Sequence, residues 1–434
     1  MSDLSPGADA GTAQPRKPRL RTADRQRIIP AMPLEDLLDT DHQARLVWDF
    51  VVGLDLTPLE QLIRSVEGGP GAPATDPRIL TALWLYATLE GVGSARALNW
   101  LCVHHNAFRW LCGGVSVNYH TLADFRVSHV DFLDRVLTHS VAVLREQDLV
   151  DLNRVAQDGM RVRASAGAAS FHRRRTLEEC LAEAQQQVQR LKEELQDEPS
   201  APSRRQAAAQ ERAAAERAQR LRQALVRMPE MEAKKKADDK ENARASSTDP
   251  EATVMKMADG GFRPAYNVQF STTCADQVIV GVQVLSVGSD LGQIAPMVEQ
   301  IHQRFGAYPA EVLVDGGFAK HEDIEAVEGQ DVGCTVYAPV PAPKDPTQDR
   351  YQPHAGDSAI IIRWRQRMAT AEAKAIYQER AATAECVNAQ ARHRGLVRLL
   401  VRGLQRVKAI ALWCAIAHNV VRGARLRPAA VVGG

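Results

Sequence analysis

No acidic residue follows Glu385 in this chain, although nine basic residues do: Arg392, Arg394, Arg398, Arg402, Arg406, Lys408, Arg422, Arg425 and Arg427. Near the other end, Arg16 to Arg27 holds six cations against the single Asp24. The near-even balance of 54 basic and 53 acidic residues therefore conceals two basic ends, which suit a polyanion better than a small neutral substrate. The seven cysteines include no CxxC pair. That excludes a compact thiolate knuckle and reads as the reduced thiols of a cytosolic protein. Long apolar runs are also missing: the longest, Ala409 to Val421, is too short and too interrupted to span a bilayer. The polar, Arg-rich start does not read as a signal peptide.

The apolar fraction of 45% and charged fraction of 25% are those of an ordinary globular protein, and 434 residues predict two or three domains. Residues 1–29 read as a basic, disordered arm. Helical spacing runs through 30–150, broken at Gly68 to Gly71 and at Gly113-Gly114, with Asp76-Pro77 as a helix start. Strand-like composition covers Asn153 to Val162. Leu177, Leu181, Ala184, Val188, Leu191 and Leu195 then recur in steps of four and three, a helix-packing seam. A break at Asp197 to Pro202 and a second helix from about Arg204 to Met228 predict a helical hairpin within 172–244. Strand patterns return at Ala265 to Phe270, Val278 to Leu285, before Asp315, and at Cys334 to Val340. Helices are expected around Ile294 to Phe305, over 369–392 and over 396–421. This order predicts an α/β RNase H-like domain, a mixed five-stranded sheet flanked by helices. It would occupy 151–171 and 245–395, with the hairpin inserted, an all-α domain at 30–150 before it and a basic helical segment at 396–434 after it.

Three acids stand in settings that point to metal-dependent phosphoryl chemistry. Asp158 follows Arg154-Val155-Ala156-Gln157 and precedes Gly159; Asp315 follows Glu311-Val312-Leu313-Val314 and precedes Gly316-Gly317. Glu385 lies in a helical stretch among small apolar residues, where an unpaired carboxylate is costly. Two strands ending in Asp-Gly and a later helix carrying Glu would gather hard oxygen ligands for two Mg²⁺ ions, with Mn²⁺ a substitute. Singly, each Asp-Gly is more often a turn. Their joint placement on adjacent strands is what favours catalysis.

On a regular helix Asn388 and Arg392 share the face of Glu385, whereas Arg380 lies well around it. Arg392 is thus a candidate phosphate contact, against the plain alternative of a surface ion pair. Arg394, Arg398, Arg402 and Arg406 recur every four residues, which on a helix is a stripe suited to phosphates rather than an ordinary solvated face. His104, His105 and His120 have no partners at ligand spacing and read as structural or DNA-facing.

The chain resembles the DDE transposases of bacterial insertion sequences, specifically the insertion-sequence eleven-eighty-two group, over nearly all of its length beyond the tail. The resemblance rests on ordered blocks. The first are Asp76-Pro77-Arg78, Ser94-Ala95-Arg96, Phe108-Arg109-Trp110-Leu111 and Thr121 to Arg126. Thr248 to Ala252, Gly260 to Gln269 and Gly288-Ser289-Asp290 follow. The last are Trp364-Arg365, Tyr377, Arg380, Thr383 to Asn388, Arg394-Gly395-Leu396, Arg402-Gly403-Leu404 and His418-Asn419. It implies a transposase whose catalytic, metal-holding triad is Asp158, Asp315 and Glu385, with Tyr377, Arg380 and Arg392 at a Tyr/Arg/Glu/Lys signature. Two departures stand out: Arg392 replaces the usual Lys, and four residues instead of three separate Arg380 from Glu385. DNA contacts are expected at Tyr377, Arg380, Arg392, Arg394, Arg398, Arg402, Arg96 and Arg126. The implied partners are terminal inverted repeats and target DNA, with a homo-oligomer in the synaptic complex, in the cytoplasm and at the nucleoid.

Overall fold

The computed structural model describes residues 32–65, 73–197, 201–343, 345 and 347–427. The arm expected at 1–29 and the break at Gly68 to Gly71 lie outside them. Seven helices open the described chain: α1 (Gln43–Val52), α2 (Thr57–Glu60), α3 (Pro77–Leu89), α4 (Ala95–His104), α5 (Asn106–Cys112), α6 (Tyr119–Ser128) and α7 (Val130–Glu146). The expected start of α3 is present: the Asp76 side chain accepts from the Arg78 N–H at 2.7 Å, and Pro77 takes the first turn, where its missing N–H costs nothing. Helix α3 is buried from Ile79 to Ala87, so the other helices wrap around it.

Strand β1 (Arg154–Arg163) is followed by β2 (Phe171–His172), α8 (Arg174–Asp197), α9 (Ala201–Ala233) and β3 (Ala245–Ser246). Helices α8 and α9 pack on each other through the expected seam, with Leu177 and Ala184 buried against Ala218, Leu221 and Ala224. Next come β4 (Thr253–Lys256), β5 (Phe262–Thr273), β6 (Ile279–Leu285), α10 (Ile294–Phe305), β7 (Glu311–Leu313), α11 (His321–Glu328) and β8 (Thr335–Tyr337). The chain closes with α12 (Ala359–Ala369), α13 (Ala371–Arg380), a π-helical turn at Ala381–Glu385, α14 (Cys386–His393) and α15 (Leu404–Leu426).

The main sheet has six strands in the order β4-β5-β1-β7-β8, with β6 also on β5. The expected five strands omit β4, whose four residues Thr253-Val254-Met255-Lys256 are too short and do not alternate. Strand β1 is antiparallel to β5 and parallel to β7, and β7 is parallel to β8. One edge of β5 is taken by β1; the other is shared by β4 beside Phe262 to Ala265 and β6 beside Asn267 to Thr272. A two-stranded ribbon, β2 with β3, closes the base of the α8–α9 pair.

The expected helix over 396–421 begins only at Leu404. Gly395 and Gly403 both adopt φ near +89°, a conformation that ends right-handed winding and suits glycine. The Asp249 carboxylate accepts from Gly403 N–H (3.2 Å) and Glu251 from Leu404 N–H (2.8 Å), so two acids cap the positive end of α15. Burial pushes Asp249 above the usual carboxylate range, opposed by the Tyr266 hydroxyl and the Gly403 N–H. Helix α15 is buried from Ala409 to Val420 and packs on α7, α3, α6, α1 and β6, joining the N-terminal helices to the sheet. The Asn419 amide pairs with both backbone groups of Ile279 at 2.9 and 2.8 Å, closing the end of β6. The longest apolar run is thus a core helix. Among the described residues no helix is long and apolar enough to cross a membrane.

Candidate active site

Parallel pairing puts Ala156 beside Leu313, and continuing that register brings Asp158 level with Asp315. Strand β7 stops at Leu313, and the Asp315 carboxylate caps the next turn by accepting from Gly317 N–H at 2.7 Å. Asp315 is therefore a turn residue and a neighbour of Asp158 at once. Asp158, by contrast, is not at a strand end: β1 continues to Arg163. Gly159 is there because a Cβ would come within 2.7 Å of Asn267 Oδ1 and Asp290 Oδ1. On that opposite sheet face the buried Asp290 accepts from Asn267 (2.6 Å) and Gln269 (2.8 Å) and pairs with Arg161 (2.7 Å).

The Asp158 carboxylate is mostly buried. Burial pushes its pKa above the usual range, the Arg380 guanidinium and the Gly159 N–H oppose this, and Asp315 and Asp290 push it further up. Asn388, buried on α14, donates to Asp158 Oδ2 at 3.0 Å, while its own Oδ1 has no protein partner.

Arg380 and Glu385 meet for a reason the regular-helix arithmetic excludes. Residues 381–385 form a π turn, which lowers the rotation per residue so that positions five apart stack. Arg380 Nη2 donates to Glu385 Oε1 at 3.2 Å, and its Nη1 stands 3.7 Å from Asp158 Oδ2. The additional residue between Arg380 and Glu385 is absorbed by this turn. The same turn overturns the packed setting expected for Glu385, whose side chain is 60% exposed. Tyr377 lies one turn back, its ring 6.0 Å from the Arg380 guanidinium; burial raises its phenol pKa and Arg380 lowers it.

The remaining cations divide. With no helix at 394–403, the expected arginine stripe does not form. Instead Val397 and Leu399 bond to both sides of Arg163, laying exposed Arg398 beside the end of β1. Arg402 is exposed and donates to Ser165 O at 3.2 Å, while Arg394 turns inward to His418 at 3.3 Å. Arg126 is also directed inward, over the Trp84 ring at 4.5 Å and onto the Gly93 carbonyl. Arg96 is exposed and lies 5.1 Å from the Tyr119 ring. Arg392 is exposed on a groove of about 740 Å³ that also takes in Arg161, Arg163, Lys256 and Arg263. Sequence reasoning passed over those four because they are distant in sequence; only strand pairing assembles them. His105 caps α5, and His104 and His120 stack on Trp100 and Tyr119.

Among the described residues no three His, Cys, Asp or Glu side chains converge closely enough to hold an ion together. The donor set nevertheless suits hard cations: Asp158 and Asp315 crowd each other, and a divalent ion would relieve that crowding. Glu385 would have to turn from Arg380 to join them.

Residues 32–128 match a family described as a transposase domain, and residues 333–424 match one described as a transposase DDE domain. No curated protein and no solved structure gives a match to the chain.

Proposed function

We propose that this chain acts as a DDE transposase of an insertion sequence: it binds the terminal inverted repeats of its element, cleaves a strand there, and joins the freed end to target DNA. The observation that carries this is the placement of Asp158 level with Asp315, with Arg380 between Asp158 and Glu385. The sheet order, with β5 antiparallel to β1, β6 antiparallel to β5, and β7 and β8 parallel to β1, supports an RNase H-like catalytic domain. The α8–α9 hairpin would be its insertion. The ordered sequence blocks support the eleven-eighty-two group.

Asp158, Asp315 and Glu385 would hold two Mg²⁺ ions, or Mn²⁺ in their place. Such ions neutralise charge on the attacking and leaving oxygens of a phosphodiester. Asn388 holds the Asp158 side chain, and Arg380, with Tyr377 beside it, would hold a non-bridging phosphate oxygen once DNA arrives. In the first step water attacks the phosphorus, the P–O3′ bond breaks, and the proton lost by water is balanced by that taken up at O3′. In the second, this 3′-hydroxyl attacks a target phosphodiester, forming a new O3′–P bond and expelling the target's own O3′. In-line displacement needs positioning rather than a protein nucleophile, so no covalent enzyme intermediate forms.

The exposed Arg96, Arg392, Arg398 and Arg402 are the backbone contacts in this reading; the inward Arg126 and Arg394 support the fold. Arg398→Ala and Arg402→Ala should each weaken binding to all DNA sequences alike and reduce the log–log salt slope by roughly one unit. Titration at several salt concentrations measures this. Unchanged slopes would assign both side chains to packing.

The deciding assay incubates the full chain with Mg²⁺, DNA carrying the element's ends, and a target plasmid. End-specific nicks with free 3′-hydroxyls and joined products are expected. Cleavage without joining would make the protein a nuclease. Binding without either would make it a DNA-binding protein that has kept only the fold.

A further inference from the structure

We propose that the groove beginning at Gly159 binds an unpaired stretch of DNA strand next to the reacting phosphate, with Phe262 as a stacking platform for a base. The proposal rests on the reading of the chain as a strand-cleaving enzyme. The groove follows β1 from the residue after Asp158 to Arg163, and Asp158 to Arg163 spans about 17 Å at the usual strand rise. Asp158 faces away from Arg161 and Arg163, so a strand whose phosphate lies at Asp158 would enter the groove by crossing the edge of β1 beyond Ala156, which β7 no longer covers.

Five cations line the groove. Arg161 is paired with Asp290 and Arg263 with Asp259, both at 2.7 Å. Arg163, Lys256 and Arg392 are exposed and, among the described residues, form no ion pair. Such cations suit phosphates, while the walls between them are apolar: Met257 on the hairpin joining β4 to β5, Leu396 and Val397 on the loop opposite. Alternating phosphate sites and apolar surface is how proteins hold single strands, whose bases lie face-on to side chains. Duplex DNA would offer only its backbone.

Size points the same way. About 740 Å³ is the volume of a small-molecule cleft and takes roughly one or two nucleotides, not a double helix. Phe262 supplies what an open base seeks. It is 69% exposed, contributes nothing to the core, sits directly across the strand pair from Lys256, and precedes Arg263. It stands at the rim, outside the groove's own lining, and an exposed ring beside two groove cations has no packing role to explain it.

The test uses the full chain without divalent ions, so that nothing is cut, and follows the fluorescence anisotropy of short single strands, matched duplexes, and duplexes frayed at one end. Arg163→Ala and Lys256→Ala should weaken single-strand binding more than duplex binding, each lowering the single-strand salt slope by about 0.7. Phe262→Ala should weaken single-strand binding on the order of 5- to 150-fold with its salt slope unchanged. It should also remove the quenching of a 2-aminopurine placed in the frayed strand. Because Phe262 is exposed, its variant should melt at the wild-type temperature. Equal losses on single strands and duplexes, or unaltered quenching in Phe262→Ala, would overturn the proposal. If the chain cleaves DNA and yet the variants bind single strands normally, the groove fails alone. If these variants behave as expected but no cleavage occurs, the enzymatic reading fails and the groove stands.

Discussion

Asp158→Asn should abolish strand cleavage, by on the order of 10³-fold or more, while leaving the metal-free protein more stable than wild type at neutral pH. The two effects share a cause. Burial and the nearby Asp315 and Asp290 outweigh Arg380 and the Gly159 N–H, so the Asp158 carboxyl has a raised pKa in the folded protein. The folded state then binds the proton more tightly than the unfolded chain, and the ionised form costs stability above both pKa values. That cost disappears as pH falls through the folded and then the unfolded value. Asparagine keeps the shape and removes the charge. It can still accept from Gly159 N–H, and once the Asn388 amide turns over, its own amide can donate to Asn388 Oδ1 where Oδ2 had accepted from Asn388 Nδ2. The melting temperature at pH 7 should rise by roughly 1–3 °C, and the difference should shrink toward pH 4. Mg²⁺ should raise the melting temperature of the wild type and not of the variant. A variant that melts below the wild type at pH 7, or that still cleaves, would remove Asp158 from the metal-holding acids.

That Asp158 and Asp315 come level could be read from sequence because strand and register are local matters. Val155 and Ala156, and Val312 and Leu313, are short apolar runs, and parallel pairing of the two strands fixes which residues stand level beyond them, even though β1 runs on to Arg163. The seam of α8 was legible for a similar reason, being periodic over many residues. What escaped was irregular. Helical arithmetic at 3.6 residues per turn separates Arg380 from Glu385, and a single π turn reverses that conclusion. The signal was present as the one-residue excess in spacing, since an inserted residue within a continuous helix is accommodated by wider winding. Likewise the four-residue recurrence of arginines suggested a helix, although Gly395 follows the end of α14 and Gly403 precedes the start of α15, both at φ near +89°, where helical winding does not continue. Arg392 was legible as a phosphate contact, but the groove was not, because Arg163 and Lys256 become its neighbours only through the sheet and the loop bonded to β1.

Arg380→Gln should bind divalent ions more tightly than the wild type in the absence of DNA and yet cleave poorly. The Arg380 guanidinium stands 3.7 Å from Asp158 Oδ2 and 3.2 Å from Glu385 Oε1, so one internal cation contacts two of the three acids. A divalent ion entering there must displace it or accept its repulsion. At about 4 Å, and with the screening typical of a protein surface, a unit charge pair is worth about 1–4 kcal/mol. Removing the charge should therefore raise Mn²⁺ affinity on the order of 5- to 900-fold, measured by calorimetric titration. Arg380→Lys keeps the charge and should keep the weaker affinity. Arriving DNA should do to the wild type what the mutation does, because a phosphate oxygen offers Nη1 the hydrogen-bond acceptor it lacks among the protein atoms. Wild-type Mn²⁺ affinity should accordingly rise when element-end DNA is added, whereas that of Arg380→Gln should change little. The loss of cleavage in the variant then follows from a phosphate left unheld, not from a missing ion. Equal Mn²⁺ affinities for wild type and Arg380→Gln without DNA would show that the guanidinium does not compete for the acids.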